Sequence, residues 1–341
     1  MFRNDYSEIA APEVLEALRV RGLEQNVGYG LDVRSDSAEE LILKAFGLTK
    51  EDARVFFLAG GTQSNAVVIS YLLRPYEGVI CCDTGHINGH ETGAVEGTGH
   101  KILACPNADG KLLPADIERQ VLLHDSEHVV KAAMVYVSDT TETGTVYTRA
   151  ELTAIRQVCD KYGLKLFMDG ARLGAALTAP GTDVDAAFIG SVCDAFYVGG
   201  TKNGALFGEA VVLKNTLGND EFRYHIKNRG AMLAKGFVLG IQFEALFADG
   251  LYFRLAQNSN DTAALIREGL KKAGVMPIGS SNTNQIFITL SAANAAVLME
   301  RFGLELWEDL GEEKTVRIVT SFATKKEDCE EFIAAVTELV K

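Results

Sequence analysis

The feature of this sequence that most constrains its fold is a series of short apolar segments that alternate with helical ones. Five such segments, rich in β-branched and aromatic residues, lie at residues 55–59, 78–82, 132–138, 164–169 and 194–199. Apolar runs without polar alternation are typical of strands buried on both faces of a sheet. Because helical segments separate them, we predict a three-layer α/β sandwich whose central sheet is mainly parallel.

Local signals mark where helices begin and end. Residues 37–40 and 148–151 have the Ser/Thr-x-x-Glu pattern of a capping box. Gly47 and Gly163 follow the corresponding helical segments and predict their C-terminal ends. After the last buried strand, residues 210–213 are expected to form an antiparallel return strand.

The pattern of elements changes near residue 245. A helix, a strand, a helix, a strand and a last helix are predicted at residues 251–273, 284–290, 292–302, 316–322 and from 324 onward. We therefore predict a large domain at residues 1–245, which includes the N-terminal segment, and a small C-terminal α+β domain at residues 246–341.

Charge and composition exclude several classes of protein. The formal net charge of −13, from 46 acidic against 33 basic residues, argues against a nucleic-acid surface. The N-terminus lacks the apolar core of a signal peptide, and no apolar run reaches the roughly 18 residues of a membrane span. The six cysteines show no CxxC or zinc-like spacing, so we expect buried thiols, a cytoplasmic protein and no metal site.

Polar residues that packing does not explain follow several of the predicted strands. The first group is Gly61, Thr62, Gln63 and Ser64, between a strand and a helix. Free N–H groups at a helix start attract an anion, and small residues let a ligand approach the backbone. The segment matches neither GxGxxG nor the Walker A pattern. It is either a phosphate site or a tight turn whose helix is capped by a polar residue.

Asp169 ends a strongly apolar strand and is followed at three residues by Arg172. A carboxylate in such surroundings is partly desolvated and needs a cationic or hydrogen-bonding partner. That partner is either the protonated ring nitrogen of a pyridine cofactor or Arg172, in a structural ion pair.

Lys202 and His86 also follow predicted strands, in glycine-rich segments. A lysine whose pKa is lowered in a partly dry site forms imines, although a solvated loop lysine is the ordinary alternative. His86 lies in a segment with His90 and Glu91, and it could stack on an aromatic ring or accept a proton. A structural role is the alternative for this imidazole.

The order of phosphate loop, histidine, aspartate and lysine resembles that of the aspartate-aminotransferase superfamily. Within it, the chain resembles the low-specificity L-threonine aldolases, which are classed with the β-eliminating lyases. The resemblance covers nearly the whole chain. It rests on residues 2–5 (FRND), 61–65 (GTQSN), His86 with Glu91, 169–172 (DGAR), Lys202 and 316–320 (VRIVT).

The resemblance implies that Lys202 carries pyridoxal 5′-phosphate as a Schiff base, with Asp169 on the ring nitrogen and His86 on the ring. His86 would also help remove the β-hydroxyl proton. Further residues implied in cofactor binding are Gly61, Thr62, Gln63, Arg172 and Thr201. Those implied in substrate binding are Asn4, Arg172 and Arg317, and a loose alignment adds His128 as a second base.

Two departures from the family pattern concern the site. The family lysine commonly follows serine, whereas Lys202 follows Thr201, whose hydroxyl can still donate to the phosphate. Residues 138–144 stand where relatives often have ENTHNG, so that Glu142 replaces a histidine near the site.

The function implied is cleavage of L-threonine, L-allo-threonine or a similar β-hydroxy-α-amino acid to glycine and an aldehyde. The alternatives are β-elimination or transamination on the same cofactor, or a non-catalytic regulatory protein that binds it. The resemblance also implies a homo-oligomer, a dimer or tetramer with shared active sites. Lys227 and Arg229 then either reach a neighbour's phosphate or form a solvated basic loop.

Overall fold

The computed structural model describes residues 1–107 and 109–340. The strands are β1 (Ala53–Leu58), β2 (Glu77–Cys82), β3 (Ile102–Cys105), β4 (Lys131–Ser138), β5 (Lys165–Asp169), β6 (Ala195–Gly199), β7 (Glu209–Lys214), β8 (Gln285–Ser291), β9 (Glu305–Asp309) and β10 (Glu313–Val319). The helices are α1 (Pro12–Val20), α2 (Val33–Ala45), α3 (Gly61–Leu72), α4 (His86–Gly89), α5 (Pro114–Leu123), α6 (Arg149–Tyr162), α7 (Leu173–Leu177), α8 (Ala186–Val192), α9 (Phe222–Asn228), α10 (Phe237–Ala248), α11 (Leu251–Lys272), α12 (Ala292–Phe302) and α13 (Lys326–Leu339).

A seven-stranded sheet forms the centre of the molecule, in the order β1-β7-β6-β5-β4-β2-β3. Strand β7 is antiparallel to both its neighbours, and the other pairs are parallel. Side chains of each strand alternate between two apolar cores. In β4, for example, Val135 and Val137 pack in one core, and Met134 and Tyr136 pack in the other. The predicted three-layer sandwich with a mainly parallel sheet is confirmed.

The predicted helix ends agree with the structure in one case and differ in another. Thr148 forms a complete capping box, and Gly163 closes the same helix in the left-handed conformation. Helix α2 instead begins at Val33, because the Asp32 carboxylate accepts hydrogen bonds from the backbone N–H groups of Arg34 and Ser35. The capping box predicted at residues 37–40 therefore lies inside α2.

The C-terminal elements form a separate antiparallel sheet, in the order β8-β10-β9, packed with α12 and α13. Phe2 lies in the apolar core of this unit, and its backbone bonds to Phe302 O and Val319 N. The first residues of the chain thus pack with the C-terminal unit and not with the large sheet. The division at residues 245/246 stays a prediction.

Three further observations concern the whole described chain. None of its helices combines the length and the apolar character that crossing a bilayer requires. All six cysteines are buried as free thiols, as the sequence predicts. Among the described residues no group of three or more potential metal ligands is present.

Candidate active site

A cavity of about 830 Å³ lies at the carboxyl ends of the parallel strands, where ligands bind in open α/β sheets. It is bounded by the large sheet on one side and by β9 and β10 on the other. The predicted site residues that line it are Gly61, Thr62, His86, Asp169, Arg172, Thr201, Lys202 and Arg317. Residues far apart in the sequence are therefore brought to one place.

Within the part of the chain described, two of the predicted substrate and cofactor ligands do not line this cavity. The side-chain oxygen of Asn4 accepts hydrogen bonds from Tyr6 N and Ser7 Oγ. The side-chain oxygen of Gln63 accepts one from Ala59 N. Both side chains thus support local backbone geometry, and Tyr6 takes a place on the cavity wall near that expected for Asn4.

His128 lies far from this cavity in its own chain. It precedes the amino end of β4, whereas the cavity lies at the carboxyl end, next to Ser138. The eight residues of this strand span about 25 Å at roughly 3.3 Å per residue. A role for His128 as a second base therefore has no support from the geometry of a single chain.

Lys202 lies in the loop after β6 and is partly buried on the cavity wall. Burial lowers the pKa of its amino group, and the neighbouring Arg172 guanidinium lowers it further. The interpretation as a solvated loop lysine is therefore wrong. A lowered pKa increases the fraction of neutral amine, which is the form that attacks a carbonyl carbon.

Asp169 is the last residue of β5 and is buried in a network of hydrogen-bond donors. Its Oδ1 accepts from the Tyr197 hydroxyl and from Ala171 N at 3.0 Å. Its Oδ2 accepts from the Tyr136 hydroxyl at 2.5 Å and from Asn65 Nδ2 at 3.0 Å. Burial raises the pKa of Asp169, but these hydrogen bonds outweigh it and hold the pKa below its usual value. The carboxylate is therefore kept ionised.

Arg172 is not the partner of Asp169, which corrects one of the two interpretations of that carboxylate. Its Nε and Nη2 donate to the carboxylate of Asp5 at 2.7 and 3.0 Å. Both side chains are nearly buried, with 12% and 2% of their surfaces exposed. Asn284 Nδ2 also donates to Asp5, at 2.9 Å. The family-like segments 2–5 and 169–172 are thus joined by a direct ion pair.

His86 begins α4, and its ring is oriented by a buried carboxylate. His86 Nδ1 lies 2.8 Å from Glu91 Oε1, and the Glu91 side chain is fully buried. Glu91 Oε1 also accepts from Asn65 Nδ2 at 2.8 Å. Because an ionised carboxylate only accepts hydrogen bonds, this contact places the His86 proton on Nδ1. In the described residues no protein partner bonds Nε2, which remains a base facing the cavity.

Glu142, flagged by its departure from the family pattern, lines the cavity and is buried. Its Oε1 accepts from His86 N at 2.9 Å and from Ser138 Oγ at 2.8 Å. Burial raises the pKa of this carboxyl group. Glu142 therefore fixes the start of α4 and with it the position of His86.

Arg317 reaches the cavity from β10 of the C-terminal unit. It forms an ion pair with Glu305, and its Nη1 donates to Gln285 Oε1 at 3.2 Å. Its guanidinium carbon lies 5.5 Å from the centroid of the Trp307 ring. The alternative in which its head group simply reaches water is wrong, because only 15% of the side chain is exposed.

Several cavity residues have no signal in the sequence. Tyr197 and Trp307 lie in strands, where aromatic residues are usually core. Glu305 belongs to β9, whose sequence lacks the apolar pattern of a buried strand. Glu209 had a signal that could have been used, because it is a charged residue at the start of an apolar strand, beside a glycine.

The start of α3 lies on the cavity wall, at the segment for which the sequence leaves open a phosphate site or a tight capped turn. Gly60 precedes it in an extended conformation, and among the described residues no side chain caps the helix. Its first N–H groups therefore lack a side-chain acceptor, which leaves them available to an anion. The absence of a side chain at Gly61 lets the helix start lie close to Tyr197, because a Cβ atom there would lie 3.0 Å from the Tyr197 hydroxyl.

Comparisons with known proteins agree with this geometry. A family model described as beta-eliminating lyase matches residues 11–293. The low specificity L-threonine aldolase of Pseudomonas sp. is 32% identical over 292 residues, 84% of this chain and 83% of the relative. That of Pseudomonas aeruginosa is 31% identical over 312 residues, 91% of this chain and 89% of the relative.

A solved structure, that of Leishmania major threonine aldolase, is similar over the full length. Its TM-score is 0.97 at 42% sequence identity, covering 100% of this chain and 99% of that chain. The chain therefore belongs to the β-eliminating lyase family. Its fold is that of the pyridoxal-phosphate enzymes of fold type I, and it is an enzyme that uses this cofactor.

The residues present fit pyridoxal 5′-phosphate. The uncapped start of α3 suits its phosphate, Lys202 suits its aldehyde and the ionised Asp169 suits its ring nitrogen. Four donors already occupy the Asp169 carboxylate, about as many as it can accept. A ring N–H would have to replace one of the two tyrosine hydroxyls, which can turn elsewhere.

Proposed function

We propose that this protein cleaves L-threonine, L-allo-threonine or a similar β-hydroxy-α-amino acid to glycine and an aldehyde. The observation that carries the proposal is the convergence of Lys202, Asp169, His86 and Arg317 on one cavity. The relatives named low-specificity L-threonine aldolases support this class of substrate.

Lys202 and Asp169 are the residues proposed to hold the cofactor. When bound, pyridoxal phosphate supplies an electron sink for the charge that develops at the substrate Cα. Burial lowers the pKa of Lys202 and so increases its fraction of neutral amine. Asp169 stays ionised through its hydrogen bonds and thereby keeps the ring nitrogen protonated.

His86 is proposed as the base for the β-hydroxyl group. With its Nδ1 proton held by Glu91, its Nε2 can accept the hydroxyl proton directly or through a water molecule. The Cα–Cβ bond then breaks, the β-carbon leaves as an aldehyde, and Cα takes up a proton to give glycine. The Glu91 carboxylate stabilises the positive charge that His86 acquires.

Arg317 is proposed to bind the substrate carboxylate, because it lines the cavity and its partner Glu305 is 35% exposed and can be displaced. Asp5, which is 2% exposed, binds Nε and one N–H of Nη2 and holds the Arg172 guanidinium in a buried ion pair. Arg317 is therefore the main carboxylate ligand in this proposal, and Arg172 a secondary one. Thr62 and Gly61 remain proposed phosphate ligands.

A panel of amino acids scored by product tests the proposal. L-Threonine should yield glycine and acetaldehyde in equal amounts, and Lys202→Ala should yield neither. Release of ammonia and 2-oxobutyrate from L-threonine would instead indicate β-elimination. Transfer of the amino group to a 2-oxo acid would indicate transamination, and binding without any product would indicate a regulatory protein.

We also infer that the protein is a homo-oligomer and acts in the cytoplasm. Apolar side chains are exposed from the end of α1 to the first residue of α2. Leu23, Leu31 and Val33 are 99%, 62% and 71% exposed. Such a surface is typical of one covered by a second copy. Light scattering should give a mass of two or four chains, and Leu23→Glu with Leu31→Glu should reduce it. Lys227 lies close to this segment, 5.0 Å from the Tyr29 ring centroid, and Arg229 follows it by two residues.

A further inference from the structure

Glu209 is a buried carboxyl group located between the two segments assigned to the cofactor. As the first residue of β7, it pairs with Leu58 of β1 on one side and Gly199 of β6 on the other. The start of α3 follows Leu58 by three residues, and Lys202 follows Gly199 by three. Because neighbouring strands lie about 4.8 Å apart, Glu209 is flanked by the phosphate site and the cofactor lysine.

Among the described residues, the side-chain hydrogen bonds of Glu209 are made with the segment that carries Lys202. Its Oε2 accepts from Gly200 N at 3.2 Å, and its Oε1 accepts from Thr201 Oγ1 at 3.0 Å. Thr201 Oγ1 in turn accepts from Gly208 N at 3.0 Å. A hydroxyl has a single proton, and when Glu209 is ionised this proton is donated to Glu209 Oε1 at 3.0 Å in preference to Gly208 O at 3.5 Å. In this arrangement Thr201 cannot donate to a phosphate, although the sequence led us to expect that it would.

The charge state of Glu209 depends on its surroundings. Burial raises the pKa of Glu209, Lys202 opposes this increase and Asp169 adds to it. The resulting pKa is about 8. A phosphate dianion bound beside it would add two like charges and favour the neutral carboxyl group. The titratable groups that face Glu209 from neighbouring elements are Lys202, Asp169, Tyr197 and Tyr252.

We propose that Glu209 must carry a proton on Oε1 when the cofactor phosphate binds, which reverses its hydrogen bond with Thr201. The protonated Oε1 then donates to Thr201 Oγ1, and Oε2 continues to accept from Gly200 N. Thr201 Oγ1 receives two donors, so its own proton is released for the phosphate. Glu209 is thus a positioning residue that makes phosphate binding depend on one proton. The inference rests on the cofactor site of the proposed function.

The sign of the pH dependence of phosphate affinity follows from this requirement for a proton on Glu209. Below pH about 8 Glu209 is already neutral, and phosphate binding requires no proton on this group. Above that pH the carboxylate must be protonated on binding, and affinity should fall by up to about tenfold per pH unit. Glu209→Gln should remove this decrease, because its amide N–H donates to Thr201 at every pH.

The probe is pyridoxine 5′-phosphate, which has no aldehyde and therefore forms no covalent bond to Lys202. Its binding to the full-length protein freed of cofactor is measured by titration calorimetry between pH 7 and 9.5, in buffers of different ionisation enthalpy. At pH 9 the wild type should take up as much as about one proton more than Glu209→Gln. Unphosphorylated pyridoxine should show no such difference between the two proteins.

Glu77→Gln is the matched control, since Glu77 is also buried but begins β2, at the sheet edge opposite the cavity. It should behave as the wild type. Equal proton uptake and equal pH dependence in the wild type and Glu209→Gln would overturn the inference while leaving the cofactor site intact. If the wild type fails to bind pyridoxine phosphate at any pH, the cofactor site itself is wrong.

A second pair of variants tests the same hydrogen bond if Glu209→Gln does not fold. Thr201→Ser keeps the hydroxyl group and should retain the affinity and pH dependence of the wild type. Thr201→Val lacks it and should bind pyridoxine phosphate about tenfold more weakly at pH 7, with the difference between pH 7 and 9 reduced. Identical behaviour of the two variants would overturn the inference.

Discussion

Arg317 and Glu305 form an ion pair between the neighbouring strands β10 and β9, on the wall of the cavity. The guanidinium assigned to the substrate carboxylate is therefore already bound to a carboxylate of the protein. Glu305 is 35% exposed, so it can turn to water when it is displaced. A substrate must compete with Glu305 for Arg317, and this competition sets part of its affinity.

Glu305→Gln should therefore strengthen substrate binding, because it removes the charge that competes for Arg317. Partly exposed ion pairs contribute about 0.2–1 kcal/mol, so we expect KM for L-threonine to fall by about two- to fivefold. The rate at saturation should change little. The control is Glu308→Gln, an exposed position on the same strand, which should leave KM unchanged. A higher KM in Glu305→Gln would show that Glu305 positions Arg317 instead.

Arg317→Ala should weaken amino-acid binding by on the order of 10- to 100-fold or more, since hydrogen bonds to charged groups contribute about 1.5–3 kcal/mol each. The absorbance of the bound cofactor should remain that of the wild type. Arg317→Lys should recover only part of the loss, because an ammonium group lacks the planar fork. Unchanged dependence of the rate on substrate concentration would remove Arg317 from the site.

The fold was predictable because the buried strands are continuous apolar runs, whose length and flanking helices leave few alternatives. The strands missed are β3, an edge strand of four residues, and β9, which is largely exposed. The start of α2 was misplaced because the Asp32 cap is separated from the predicted capping box by four helical residues.

The identity of the site residues was also accessible, but their pairing was not. Asp5 and Arg172 meet only because the N-terminal segment crosses the cavity, and nothing local to either residue indicates the other. The hydroxyls that hold Asp169 ionised come from Tyr136 and Tyr197, which the sequence presents as ordinary strand residues. Contacts of this kind are set by the register of neighbouring strands, which an apolar pattern does not specify.

Borohydride reduction of the purified, cofactor-loaded protein should attach the cofactor permanently to the peptide that contains Lys202. The lowered pKa of Lys202 and its position on the cavity wall are the physical reasons. Mass spectrometry of a digest identifies the labelled peptide. Lys202→Ala should lose turnover and label while it still binds the cofactor reversibly. Label on any other lysine would refute the assignment.

Asp169→Asn should fold but lose activity by on the order of 100-fold or more, because an amide cannot hold a ring nitrogen in its protonated form. The Asn65, Tyr136 and Tyr197 donors favour a carboxylate at this position, so some loss of stability is also expected. The comparison to make is kcat at equal cofactor saturation. Near-normal rates would reduce Asp169 to a structural acceptor for these donors.

Asp139, directly after β4, is expected to make stability decrease as pH rises. It is buried without a cation bound to it, and burial raises the pKa of Asp139 to about 8. In the unfolded chain an aspartate has a pKa of about 3.9, so unfolding releases a proton between pH about 4 and 8. In that range the free energy of unfolding should fall by up to about 1.4 kcal/mol per pH unit relative to a variant without this group.

Asp139→Asn is that variant, and its amide can keep the acceptor that bonds Tyr147 N. Urea unfolding of both proteins at pH 5, 6 and 7 gives the stability difference at each pH. Other titrating groups are common to both proteins and cancel in this difference, so its slope reports Asp139 alone. The free energy of unfolding of the variant should increase steadily relative to that of the wild type as pH rises across this range. Parallel curves would mean that Asp139 is ionised in the folded protein, which would require a cation or further donors at its buried Oδ2.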